Sequence, residues 1–235
     1  MKLIYKILLF VAIFLILTGI GIIFFPNISN IVYEKKVNEM EEDFITSTSK
    51  KNSLDEDNNV LEKLYQELKT RNDDLYKFRQ NNLVDPFSYE QPSIDLSEYG
   101  IFDNIIGYIY IPKIEITLPI LLGANSENLK NGAVHLTETS YPIGGINTNS
   151  VIAAHRGWGM SKMFRNLDKL EIGDIVYIQN FKEELKYEVS EIKIIDPDDI
   201  DELLIQDNKD MISLVTCHPY RINTKRYVVY CYRSD

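Results

Sequence analysis

Cys217, Arg226 and His155 are the residues of this chain whose types and spacing could do chemistry together. The thiol closes an apolar run, Ile212-Ser213-Leu214-Val215-Thr216-Cys217, which reads as a buried strand. Arg226 follows nine residues later, at the head of Arg226-Tyr227-Val228-Val229-Tyr230, a second strand after a turn. A hairpin of that length brings Cys217 and Arg226 to neighbouring positions on one sheet. Upstream, Val151-Ile152-Ala153-Ala154 is a further apolar strand, and it ends in His155-Arg156-Gly157. A thiol, an imidazole and a guanidinium at strand ends are the parts of a cysteine acyl-transfer site. The thiol attacks a carbonyl and the imidazole moves protons. The guanidinium, a planar fork of donors charged at any working pH, holds the oxyanion.

Each residue also has a plainer reading. By position alone, a cysteine closing an apolar strand is a core thiol, and an arginine at a strand start is a surface charge. Their joint occurrence with His155 argues for chemistry. Among the three histidines, His218 directly follows the thiol, so on a continuing strand it faces away. His135 lies in Gly132-Ala133-Val134-His135-Leu136, which reads as a loop between helix and strand. Two cysteines in an exported chain raise a disulfide, but the registers of Cys217 and Cys231 look unmatched. A zinc site from Cys217, His218, Cys231 and a distant His lacks ligand pairs on tight turns.

Thr216-Cys217 with Arg226 downstream, and Ala154-His155-Arg156-Gly157 upstream, resemble the signature of the sortase family, cysteine transpeptidases of Gram-positive cell surfaces. The likeness runs from about Gly107 to Tyr232, in the family's order of His, then Cys, then Arg. It implies an eight-stranded β barrel with a few short helices. It also implies Cys217 as nucleophile, His155 as acid and base, and Arg226 as oxyanion and substrate clamp. Thr216 takes a supporting or substrate-contacting place, and no metal or organic cofactor is required. Asp85-Pro86-Phe87 resembles the lid tripeptide of class C sortases, the pilus-assembling branch. That likeness implies Asp85 paired with Arg226 as a pseudo-substrate carboxylate, Phe87 covering Cys217, and Pro86 stiffening the turn. Asp-Pro is also an ordinary turn opening.

The implied reaction cleaves the Thr–Gly bond of an LPxTG-like sorting signal on a pilin or surface protein, through a thioacyl enzyme. A pilin lysine amine resolves it; in an anchoring sortase, a peptidoglycan amine does. Class C enzymes usually continue past the last strand into a second hydrophobic anchor, whereas this chain stops at Arg233-Ser234-Asp235. A class D-like or housekeeping role therefore stays open. Two other classes compete: a cysteine protease, although papain-type enzymes place Cys before His, and a non-catalytic membrane-anchored binding barrel.

The elements that must position these groups follow from patterning. The chain has 235 residues, 45% of them hydrophobic, enough for one sizeable core plus appendages. Its net charge of −10, with basic residues scattered among acids, argues against nucleic acid as a partner. Ile7 to Phe25 is nearly unbroken apolar sequence, reaching roughly 28 Å as a helix, the hydrocarbon thickness of a bilayer. It ends in Phe24-Phe25-Pro26-Asn27 without a small-x-small cleavage pattern, so an uncleaved anchor is favoured over a signal peptide. Residues 1–6 then form a cytoplasmic leader, 7–25 the transmembrane anchor, 26–80 a helical region, 81–104 the lid loop and 105–235 the extracellular catalytic barrel.

Within 26–80, Ile31 to Phe44 is predicted as a helix, Thr46 to Asn59 as a polar loop, and Leu61, Leu64, Tyr65, Leu68, Leu75 and Phe78 as one face of an amphipathic helix. Asn81 to Gly100 reads as an extended loop. Strands are expected at 106–111, 114–120, 151–154, 174–178, 185–195, 211–217 and 226–232, with Met163 to Leu167 as a helical turn.

Overall fold

A computed structural model describes residues 2–52, 60–78, 80, 83–88, 92, 94–101, 103–157 and 161–234. Helix α1 runs unbroken from Lys2 to Asn52, with Pro26 inside it. It is long and apolar enough to cross a membrane. Side chains from Leu3 to Val32 are almost all exposed, so this apolar surface is not covered by the rest of the described residues. The second half of α1 changes character: Val37 and Phe44 are buried, and the Phe44 ring meets Tyr108 at 5.5 Å.

The loop expected over Thr46 to Asn59 is therefore corrected in its first part, because α1 continues to Asn52; residues 53–59 lie outside the described residues. Thr48 explains the difference. Its hydroxyl donates to Phe44 O at 2.7 Å and the residue is buried on the barrel, so tertiary packing outweighs weak helix propensity.

Helix α2, Val60–Phe78, buries Leu61, Leu64 and Leu68 as the spacing predicts. The stripe then departs from expectation. Asn72 takes the next inward position, donating through Nδ2 to Tyr141 O (3.2 Å) and accepting from Tyr141 N (2.7 Å). Phe78 faces outward at 72% exposure. An amide that satisfies both backbone groups of one loop residue fixes the helix register more narrowly than another leucine would.

The strands are β1 Ile105–Ile111, β2 Ile116–Leu122, β3 Ala133–His135, β4 Thr148–Ala153, β5 Ile175–Asn180, β6 Glu184–Ile195, β7 Asp210–His218 and β8 Lys225–Arg233. They close into a barrel in the order β1-β2-β3-β4-β7-β8-β6-β5. Neighbours are antiparallel except β2/β3 and β4/β7. Strand β2 starts two residues later than expected, because Pro112–Ile114 form a 3-10 turn ended by Glu115 at φ 50°. A 3-10 turn at Leu96–Tyr99 interrupts the expected extended loop, capped by Asp95 and by Gly100 at φ 73°. Met163 to Leu167 is a turn leading into a 3-10 turn at Leu167–Lys169 rather than a helix.

His135 was expected in a loop and instead lies on β3, which three residues of weak alternation could not reveal. It is 1% exposed, and its Nε2–H donates to Ser140 O (3.0 Å) and Thr139 O (3.2 Å). Burial pushes its pKa down to about 4. Between an unfolded pKa near 6.5 and that value, only the unfolded chain takes up the proton. Stability is therefore lost as pH falls from about 6.5 to about 4, by on the order of 3 kcal/mol. Melting temperatures of the full chain in detergent across that range should fall less steeply for His135→Gln than for the native protein.

Candidate active site

The β7–β8 hairpin sets Cys217 directly opposite Arg226. In an antiparallel pair, directly opposed side chains share a face with Cβ atoms ~5 Å apart, so the guanidinium stands beside the thiol. The same register puts Cys231 opposite Ile212, five residues down the strand from Cys217. Both cysteines are free, and at ~3.3 Å per residue no disulfide could join them.

Strand β4 runs parallel to β7 with Ala153 opposite Val215. The pairing continues past the strand end: Ala154 N donates to Val215 O at 3.1 Å. Thr216, fully buried, donates from its hydroxyl to Ala154 O at 2.8 Å. His155 therefore leaves β4 at the row that holds Cys217. From the other side, Phe164 N donates to His155 O at 3.1 Å, closing the following loop back on the histidine. Three strands thus deliver the thiol, the guanidinium and the imidazole to one end of the barrel.

Over this row lies the segment Asp85-Pro86-Phe87. Arg226 Nε donates to Asp85 Oδ1 at 2.6 Å and Nη2 to Oδ2 at 2.7 Å, a bidentate fork. The third nitrogen, Nη1, is held by Asn223 O and Lys225 O at 3.2 and 3.0 Å. The Phe87 ring stacks on the His155 ring at 5.9 Å and lies 5.1 Å from the Arg226 guanidinium. Pro86 is buried, and Ser88 N donates to Asp85 O at 2.9 Å to close the turn. Behind it, Leu83 is buried, and Gln80 bridges two barrel loops, donating to Glu138 O (2.9 Å) and accepting from Ile205 N (2.7 Å).

Electrostatics follow from this closure. Burial pushes the Cys217 thiol up; Asp85 pushes the same way, while Arg226 and Arg156 oppose it. Burial lowers the His155 pKa. Both shifts favour the neutral thiol and imidazole over the ion pair.

Patterning missed Arg156 as a contributor, seeing it only as part of a motif. Its guanidinium is 8% exposed, pairs with Asp168, and donates from Nη1 to His218 Nδ1 at 2.8 Å. His218 thus faces Arg156 and the Tyr227 ring, 5.9 Å away. A buried cation next to two catalytic-type residues was the available signal, but its partner Asp168 is 12 residues distant and carries no pattern of its own.

Comparison with known proteins gives one family for the chain. A family model described as the sortase domain matches residues 109–234. Sortase A of Bacillus anthracis is 30% identical over 66% of this chain and 72% of its own length. Sortase D of Bacillus subtilis is 33% identical over 53% of this chain and 61% of its own. Among solved structures, sortase C-1 of Streptococcus pneumoniae aligns with a TM-score of 0.72 and 36% identity, covering 84% of this chain and 98% of that one. A structure titled sortase C1 of GBS pilus island 1 aligns with a TM-score of 0.72 and 31% identity, covering 83% and 92%.

Proposed function

The chain belongs to the sortase family of cysteine transpeptidases, and from that premise we propose that it joins pilin subunits by transferring a cleaved sorting signal to a lysine amine. With the lid open, Cys217 gives its proton to His155, and the Sγ thiolate attacks the Thr–Gly carbonyl of an LPxTG-like signal. Once Asp85 is displaced, the Arg226 Nε/Nη2 fork is open to the developing oxyanion. His155 protonates the departing glycine nitrogen as the C–N bond breaks, leaving a thioacyl enzyme. The acceptor amine attacks next, His155 takes its proton, and the thiolate departs. Thr216 acts as a support, fixing the strand exit from which His155 projects.

One observation carries the reading: the Cys217–Arg226 cross-strand pair with His155 on the same row, under a carboxylate that occupies the guanidinium fork. Its lid favours the pilus-assembling branch, as does likeness to class C structures. The apolar part of α1 serves as the anchor, with the barrel outside the cell.

Incubating the enzyme with LPxTG-type peptides and a lysine-bearing pilin, then weighing the products, tests the scheme. A thioester adduct on Cys217, absent in Cys217→Ala, with an isopeptide to pilin lysine, is expected. Adduct formation with transfer only to a peptidoglycan-type amine would instead assign an anchoring role.

A further inference from the structure

We propose that the active-site end of the barrel rests on the outer surface of the membrane that α1 spans, with the β7–β8 loop and its flanking arginines in an anionic headgroup layer. This rests on reading Ile7 to Phe25 as the span and goes beyond the reaction itself.

The first support is where α1 leaves the barrel. It departs at the end that carries His155. Lys162, in the loop after His155, donates its backbone N–H to Asn30 Oδ1 at 3.3 Å, and its ammonium lies 3.7 Å from Glu34. Later residues of α1 run toward the opposite end, where Phe44 and Thr48 meet the start of β1. Asn30 is only four residues beyond Pro26, about 6 Å of helix. The headgroup layer on each side of a bilayer is about 5–8 Å deep. However α1 bends at Pro26, the loop tied to Asn30 stays within reach of that layer.

The second support is what the same end displays. Three residues past Cys217, Tyr220 is 42% exposed, and Ile222 is 66% exposed. Arg165 and Arg221 lie 5.7 and 5.3 Å from the Tyr220 ring. Neither arginine forms an ion pair among the described residues. A tyrosine close to two guanidinium groups, of the half-buried Arg165 and the exposed Arg221, beside an exposed isoleucine, is the chemistry of a membrane interface: the ring and aliphatic tip enter, and the cations meet lipid phosphates. On a chain of net charge −10 such a cluster is not expected from composition.

The contact would hold Cys217 at the height of the headgroup layer. To test it, the full chain bearing Cys217→Ala and Ile222→Cys is labelled with a fluorophore and reconstituted into vesicles of phosphatidylcholine with phosphatidylglycerol and brominated lipids. Cys231, fully buried, should stay unlabelled. The control position is Ile146, 64% exposed ahead of β4 at the far end of the barrel. Several-fold stronger quenching at 222 than at 146, reduced by Arg165→Gln with Arg221→Gln, is the expected result. Equal quenching at both positions in a chain that floats with the vesicles would overturn the contact alone. Protection of the 222 label only when sorting peptide is added would give the loop to the substrate and overturn it equally. A chain that fails to float would remove the span and the contact with it.

Discussion

Arg226→Lys is expected to lower kcat/KM for sorting-peptide cleavage by about 100-fold or more, the typical loss for one preorganised oxyanion donor. The reason lies in how the guanidinium is held. Nη1 is fixed by the carbonyls of Asn223 and Lys225, which aims Nε and Nη2 outward as a rigid fork. In the covered state that fork receives both oxygens of Asp85. A scissile carbonyl that becomes an oxyanion needs the same donors in the same place. Lysine keeps the charge but has a single nitrogen, which cannot stand both at the two carbonyls that hold Nη1 and at the place of the Nε/Nη2 fork. The fall should be in kcat more than in KM, because the lost interaction strengthens in the transition state. Thioester formation on Cys217 followed by quenched-flow mass spectrometry measures it. Activity within a few-fold of the native enzyme would remove Arg226 from the oxyanion role.

Opening the lid should have the opposite sign. Asp85→Ala combined with Phe87→Ala is expected to speed modification of Cys217 by a thiol reagent by about 10-fold or more, a one-unit fall in thiol pKa being worth about tenfold in thiolate. Two causes act together. Burial, the main cause of the raised thiol pKa, is relieved when the turn no longer seats on the barrel, and the Asp85 charge that adds to it disappears. Arg226, freed of its carboxylate, then favours the thiolate without opposition. The Phe87 ring also leaves His155. The rate against pH should show its rise shifted to lower pH in the variant. An unchanged rate and profile would mean that the segment does not occlude the thiol.

How much of this was legible beforehand depends on the range of the determining contacts. Cys217 and Arg226 belong to one hairpin, so strand length and a turn sufficed to set them side by side. His155 required only that an apolar run end where it does. Seven of the eight strands were visible as apolar runs, displaced by one to three residues at their ends. The strand that escaped, β3, is three residues long and exists because β2 and β4 flank it. His135 therefore passed for a loop residue until its neighbours were in place.

Read along the chain, the available chemistry is already present: one thiol, one imidazole and one guanidinium at ends of apolar strands, behind a long apolar helix. Those are properties of residue type and local period, which need no partner to be read. Tertiary structure alone decided what holds them. Thr216 on the Ala154 carbonyl, Asn72 on Tyr141, Gln80 between two loops and Asp85 on Arg226 are bonds between residues 58 to 141 positions apart. No local pattern encodes such a bond, because each donor finds its acceptor only after the barrel has closed and water has been excluded.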